Sequence, residues 1–177
     1  MPGPGARSVF RRILRDRLVV VAACPVDAVR FAGGWLFDRV MAGWEAIVIL
    51  ADDADRRPLR ILGAHTGDLE AALPSAGGAP RPHALAVQVE LYASDPRVRR
   101  VVRGVLADGV VEVQFWGQVW PSDLDGGRPV QHRLSVAARA FKAHALAAAA
   151  APTDPIAATE TFRTSVPHPA SDLVTAV

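Results

Sequence analysis

A strand, a sharp turn, a helix and a second strand follow one another over residues 18–53, and this order strongly constrains the fold. Residues 18–23 (LVVVAA) are a largely β-branched run without alternation, which is typical of a parallel strand buried on both faces. Pro25 ends the run and suits the first position of a helix, whose apolar spacing continues to about Gly43. Residues 46–50 form a second buried strand. Such a unit makes a right-handed parallel crossover, so we expect an α/β fold, a Rossmann-like three-layer sandwich with a mostly parallel sheet.

The remaining sequence indicates one domain with a tail at each end. Residues 1–16 are rich in arginine after a Pro/Gly start, and we predict a flexible basic arm there. Residues 17–150 carry the apolar periodicity of the α/β domain, including an alanine-rich helix predicted over residues 131–150. Residues 151–177 lack periodicity and consist largely of Thr, Pro, Ser and Ala, which predicts a disordered tail.

Charge and cysteine content limit the partners and the compartment. The formal net charge is only +2, so we interpret the N-terminal arginines as a solvated arm and do not favour a nucleic-acid partner. No apolar run approaches the roughly 18 residues of a membrane span, so no transmembrane segment is expected. The single Cys24 excludes an internal disulfide and indicates a reducing, cytoplasmic location. The arginines before VAAC resemble a bacterial lipoprotein signal, but the apolar run of six residues is shorter than the usual span of about 7–15.

Several residues of the opening unit are candidates for a site. Asp52 and Asp53 follow the second strand, at the edge where open α/β sheets place ligands, and are candidate catalytic bases. Gly33 and Gly34 lie inside the predicted helix, where each costs about 1 kcal/mol relative to Ala. That cost predicts a close approach of the helix to the sheet or to a ligand, so we take Asp27, Gly33 and Gly34 as candidate ligand-binding residues. The turn lacks G-x-G-x-x-G, which argues against a dinucleotide.

The same stretch resembles the opening of the LmbE/PIG-L-like N-acetylglucosamine deacetylases. In that family a buried strand ends in His-Pro-Asp-Asp-Glu, and Gly-Gly follows after four residues. Here residues 24–28 read CPVDA, and Gly33-Gly34 follow at the same spacing. A second family motif, His-Pro-Asp-His at the start of a helix, is similar to VQHRLSVAARA at residues 130–140.

The resemblance implies a metal site with altered residues. The family binds zinc through the first His, the second Asp and the distant His, and its first Asp is the general base for a zinc-bound water. The corresponding positions here are Cys24, Asp27 and His132 for the metal and Val26 for the base. Cys, Asp and His are all competent zinc ligands. Valine cannot accept a proton, however, and loss of a general base typically lowers the rate by about 10²–10⁴-fold.

Three hypotheses about function remain open on the sequence. The first is a non-catalytic or divergent LmbE/PIG-L-like protein with a binding or regulatory role at the turn of residues 24–27, needing no cofactor. The second is a zinc-dependent amide hydrolase that uses Cys24, Asp27 and His132, with Asp52 or Asp53 as the base. The third is an interaction domain, for a small-molecule or protein partner, whose likeness is limited to a βαβ unit. A separation of His132 from Asp27 by more than about 10 Å would leave only the third, since zinc–ligand bonds are about 2.0–2.3 Å long.

Overall fold

One seven-stranded sheet organises the computed structural model, which describes residues 16–75, 78, 80–124, 127–153 and 155–165. In chain order the strands are β1 (Arg17–Ala22), β2 (Glu45–Leu50), β3 (His65–Asp68), β4 (Ala84–Gln88), β5 (Glu112–Trp116), β6 (Arg128–Arg133) and β7 (Thr159–Ser165). The helices are α1 (Pro25–Met41), α2 (Arg57–Ile61), α3 (Leu69–Ser75), α4 (Val89–Ser94), α5 (Pro96–Asp108) and α6 (Val136–Ala148).

The strand order across the sheet is β3-β2-β1-β4-β5-β7-β6. Strands β1 to β5 are parallel to one another. Strand β7 pairs antiparallel with β5, and β6 pairs antiparallel with β7. The predicted mostly parallel sheet is therefore confirmed, with two antiparallel strands added at one side.

Helices cover both faces of the sheet and complete the three predicted layers. Side chains of α1, α2 and α6 share one buried apolar cluster with the sheet, and side chains of α3, α4 and α5 share the other. Alternate residues of β1 point into the two clusters: Leu18 and Val20 into the first, Val21 into the second. Burial on both faces explains why this strand is a continuous apolar run rather than an alternating one.

The predicted disordered tail at residues 151–177 is wrong for its middle part, because Thr159–Ser165 form β7 inside the sheet. The strand has a period of two, with Glu160 and Phe162 buried and their neighbours exposed or half-buried. One of its two inward residues is a glutamate, so Phe162 is the only apolar residue of the strand and no apolar alternation is visible. The sheet therefore includes residues as far along the chain as 165, and residues 166–177 lie outside the described part.

Two further expectations are changed by the structure. The helix predicted over residues 131–150 begins only at Val136, because Arg128–Arg133 form β6. Of the predicted basic arm, residues 1–15 lie outside the described part of the chain. Asp16 is described, and its carbonyl oxygen accepts a hydrogen bond from the Glu45 amide at 2.9 Å. Among the described residues, no helix has the length and apolar character needed to span a membrane.

Candidate functional site

The turn at residues 24–27 lies at the carboxyl edge of the sheet, where the chain leaves β1 for α1. Strand β1 has β2 on one side and β4 on the other. From β1 the chain crosses to β2 on one side of the sheet, whereas β4, which comes later in the chain, pairs with the other side of β1. The strand order therefore changes direction at β1. Ligands of open α/β sheets bind at such a switch point. The turn therefore occupies the position where this fold would place a ligand.

The helix α1 begins as the sequence predicts. Pro25 lies in the first turn, and the extended Cys24 precedes it without capping the helix through its side chain. The amide of Ala28 donates to the carbonyl oxygen of Cys24 at 3.2 Å. Asp27 lies in the first turn, where the helix dipole favours a carboxylate. The turn is thus fixed mainly by backbone geometry.

Gln88, the last residue of β4, reaches across the gap between β4 and β1. Its Oε1 accepts a hydrogen bond from the Ala23 amide at 2.8 Å, and its Nε2 donates to Asp27 Oδ2 at 3.3 Å. The side chain is buried. Its register partner is Trp116, whose buried indole N–H has no hydrogen-bond partner among the described residues. Sequence reasoning missed Gln88; its position at the end of a strand paired with β1 is the signal that could have identified it.

The Cys24 thiol is half-buried and carries a raised pKa. Burial is the main cause of the raised pKa, and the carboxylates of Asp27 and Asp52 add to it. A backbone hydrogen bond from Asp27 acts in the opposite direction. The partly buried position beside two carboxylates therefore disfavours the thiolate form of Cys24.

The two candidate bases lie beside the turn but face solvent. The amide of Asp52 donates to the carbonyl oxygen of Ala23 at 3.0 Å, so the end of β2 is tied directly to the turn. The carboxylate of Asp52 accepts from the amide of Ala54 at 3.2 Å. The side chain of Asp53 is fully exposed, 3.9 Å from the Arg56 guanidinium. The structure thus places Asp52 near Cys24 and leaves Asp53 at the periphery.

His132 lies elsewhere, against the opposite end of α1. Its Nε2 is 2.9 Å from Oδ2 of Asp38, which also accepts from the Ser135 amide at 3.2 Å. Burial alone would raise the pKa of Asp38, but these hydrogen bonds with Ser135 and His132 lower it. Asp38 follows Asp27 by eleven residues in α1, which separates them by about 16 Å along the helix at about 1.5 Å per residue.

The predicted metal ligands are therefore not brought together. Cys24 and Asp27 share one turn, but His132 is held at the far end of α1 by Asp38. Across the described ranges, no three His, Cys, Asp or Glu side chains gather into a metal-binding group. Only Cys24 and Asp27 remain at the turn, and the Asp27 carboxylate accepts a hydrogen bond from Gln88, so this donor set does not fit the family's zinc ion, which needs three protein ligands.

The glycine pair has a structural explanation inside the protein. A Cβ on Gly34 would lie 2.4 Å from a methyl carbon of Leu134, and one on Gly33 would lie 3.2 Å from Leu62. The amides of Gly34 and Trp35 donate to the two carboxylate oxygens of Glu160, at 2.9 and 2.8 Å. The close approach predicted from these glycines is therefore an approach to packed side chains, and it leaves them without access to a ligand.

A buried ion pair completes this contact between α1, α6 and β7. Lys142 Nζ lies 2.6 Å from Glu160 Oε1 and also donates to the carbonyl oxygen of Arg30 at 2.6 Å. Arg30 is four residues before Gly34, so it is the carbonyl that Gly34 would pair with in a regular helix. Lys142 donates to the Arg30 carbonyl oxygen, and Glu160 accepts from the Gly34 amide. We call Lys142 and Glu160 the helix wedge, because their side chains bind two backbone groups of α1 that would otherwise pair with each other.

Comparison with solved structures identifies proteins that share this fold. A teicoplanin-pathway deacetylase in complex with teicoplanin aligns with a TM-score of 0.62 at 12% identity, over 85% of this chain and 98% of the other. The fold is that of these deacetylases. A 4-carboxy-2-hydroxymuconate hydratase from Pseudomonas putida aligns with a TM-score of 0.59 at 13% identity, over 86% of this chain and 97% of the other.

A zinc-inhibited form of teicoplanin deacetylase aligns with a TM-score of 0.54 at 11% identity, over 74% of this chain and 82% of the other. No protein-family model matches the sequence, and no curated protein matches it. The resemblance to LmbE/PIG-L-like deacetylases is confirmed at the level of the fold. The alignment covers most of the chain, so the likeness is not limited to a βαβ unit. The expectation that a His132–Asp27 separation above about 10 Å would leave only an interaction domain is therefore wrong, because the fold is retained although His132 lies far from Asp27.

Proposed function

We propose that this chain is a divergent LmbE/PIG-L-like protein that binds a ligand at the turn of residues 24–27 without metal-assisted hydrolysis. The observation that supports this best is the position of His132, held by Asp38 about 16 Å along α1 from Asp27. Val26 and Ala28 stand where the family carries its base and an acid. The fold and the switch-point turn are thus retained, whereas Cys24 replaces the first zinc-binding His, Val26 replaces the base, and His132 lies away from the turn.

The chemistry of the turn indicates the class of ligand. Asp27 and Asp52 bring negative charge to its rim, which disfavours an anion. The Cys24 thiol and the free lone pairs of Asp27 offer hydrogen bonds suited to hydroxyl and amide groups. We therefore favour a neutral polar ligand of the sugar class. The single free cysteine further supports a reducing, cytoplasmic location as part of this proposal.

The experiment uses Cys24, the only cysteine, as a reporter of the turn. Purified protein is assayed for bound zinc and for acetate release from N-acetylglucosamine, and the rate of Cys24 modification by a disulfide reagent is measured with and without that sugar. We expect no stoichiometric zinc, no acetate, and slower modification in the presence of the sugar. The protection should fall in Asp27→Asn and persist in His132→Ala, which is the matched control at the far end of α1.

The zinc-hydrolase alternative makes the opposite predictions. It requires one equivalent of zinc that is lost in each of Cys24→Ser, Asp27→Asn and His132→Ala, together with acetate release by the wild type. That result would overturn the proposal. Equal modification rates with and without N-acetylglucosamine would overturn the assignment of a sugar-class ligand to this turn.

A further inference from the structure

An open cleft of about 490 Å³ lies on the other face of the sheet from α1, between α5 and the loop that follows β5. We call it the α5 cleft, and its lining residues are Ala93, Arg99, Arg103, Pro121, Ser122 and Asp123. The volume falls within the range of about 300–1,000 Å³ that is usual for small-molecule sites. The cleft is at the carboxyl edge of β5, the side of the sheet on which this fold binds ligands.

Arg99 is held in place and retains an unused donor. Its guanidinium carbon lies 5.7 Å from the centre of the Tyr92 ring, and Nη2 donates to the carbonyl oxygen of Ala93. Its Nε is buried and has no hydrogen-bond partner in the described part of the chain. Buried polar atoms of folded proteins almost always have a partner, so this N–H is a donor that the described residues leave unused.

Arg103 presents a second guanidinium to the same cleft. It follows Arg99 by four residues, so both side chains lie on one face of α5, where two like charges repel each other. Its Nη1 is 3.9 Å from Asp123 Oδ2, too far for a hydrogen bond. That oxygen already accepts from the Tyr92 hydroxyl at 2.9 Å. Among its described residues, the lining therefore carries two positive charges against one negative charge that is already engaged.

We propose that the α5 cleft binds a phosphorylated small molecule, whose phosphate is held by Arg99 and Arg103. The planar guanidinium group matches phosphate oxygens in geometry as well as in charge. Ser122 adds a hydroxyl-bearing side chain to the lining. The cleft is larger than an inorganic phosphate needs, which favours a phosphate ester. This site lies apart from the turn of residues 24–27, where the local charge disfavours anions, so the two proposals are independent.

Isothermal titration calorimetry at fixed ionic strength tests the proposal with glucose 6-phosphate, glucuronate, glucose and inorganic phosphate. We expect glucose 6-phosphate to bind, inorganic phosphate to compete, and glucose and glucuronate to bind far more weakly. Arg103→Gln and Arg99→Gln should each weaken binding by about tenfold or more, because each removes charge-assisted hydrogen bonds. Arg100→Gln is the matched control, since Arg100 is an exposed arginine of α5 outside the cleft lining.

A variant that is expected to bind more tightly distinguishes a loss of phosphate contacts from a loss of folding. Asp123→Asn removes the negative charge of the cleft and should tighten binding of glucose 6-phosphate, which an unfolded variant would not do. Failure of both phosphate probes to bind would overturn the proposal, as would equal weakening by Arg100→Gln. Tighter binding of glucuronate than of glucose 6-phosphate would overturn the assignment to phosphate.

Discussion

Removing the charge of Glu160 should destabilise the domain more than any surface charge change of the same kind. The side chain of Glu160 is 3% exposed, and it accepts three hydrogen bonds, from two α1 amides and from Lys142. Glutamine has nearly the same shape, but its amide nitrogen would face a donor and would leave the Lys142 ammonium unpaired. Breaking a buried ion pair in this way costs about 3–5 kcal/mol, against a total stability of about 5–15 kcal/mol for a typical domain.

Urea unfolding followed by tryptophan fluorescence measures the effect. Trp35 is a suitable reporter because its backbone amide donates a hydrogen bond to Glu160, and the centre of its ring lies 5.0 Å from that of Phe162. Glu45→Gln is the matched control: the Arg17–Glu45 pair is 2.9 Å long but half-exposed, so its loss should cost less than about 1 kcal/mol. The double variant Glu160→Gln with Lys142→Met should cost less than the sum of its single changes, since neither charge is then left unpaired.

The pH dependence of Lys142→Met gives an independent check. Burial raises the pKa of Glu160, and this variant lacks the ammonium that opposes the rise. A carboxyl group with a raised pKa holds its proton in the folded state, so stability is retained below the ordinary carboxyl pKa and is lost as the pH rises above it. Equal costs for Glu160→Gln and Glu45→Gln, or strict additivity in the double variant, would refute the reasoning.

Two further predictions concern single groups. Tyr92 is the only tyrosine, and burial together with Asp123 raises its pKa to about 12, so phenolate absorbance should appear about two pH units later than for a free tyrosine. Asp123→Asn should bring the titration earlier; a wild-type transition near pH 10 would contradict this. The hydrogen bonds with Ser135 and His132 lower the pKa of Asp38, so Asp38 stabilises the fold above the ordinary carboxyl pKa, and that stability is lost as the pH falls through the lowered value. In Asp38→Asn the free energy of unfolding should fall less steeply as the pH is lowered through the carboxyl range. An unchanged pH dependence would contradict the pairing of Asp38 with His132 and Ser135.

The parts of the fold that were predictable are those fixed by local signals. The run at residues 18–23, the proline after it and the apolar spacing of α1 each act within a few residues of one another, so β1, α1 and β2 could be placed from the sequence. Strand β7 could not, because one of its two buried residues is Glu160. The partners that make a buried glutamate acceptable, Lys142 and the Gly34 amide, lie 18 and 126 residues away.

The same contrast holds for the candidate site. The turn and its position at the carboxyl edge follow from the strand–helix order, and the resemblance correctly indicated the fold. The role of Gln88 depends on β4 pairing with β1 across 65 residues, which no local pattern reveals. The helix-start interpretation of His132 was wrong because it overlooked β6, an edge strand that pairs with a segment predicted to be disordered.

The position of β7 between β5 and β6 sets the order in which the protein can be completed during synthesis. Strand β6 contacts the sheet through β7, so it has no place to pair until residues 159–165 have been made. The strands that form the turn of residues 24–27 are translated first and can associate early. The helix wedge can form only when Glu160 arrives. A chain that ends at residue 150 would therefore have strands β1 to β5 available to pair, whereas one side of β5 would lack its partner strand. Such an unpaired strand edge can associate with another molecule.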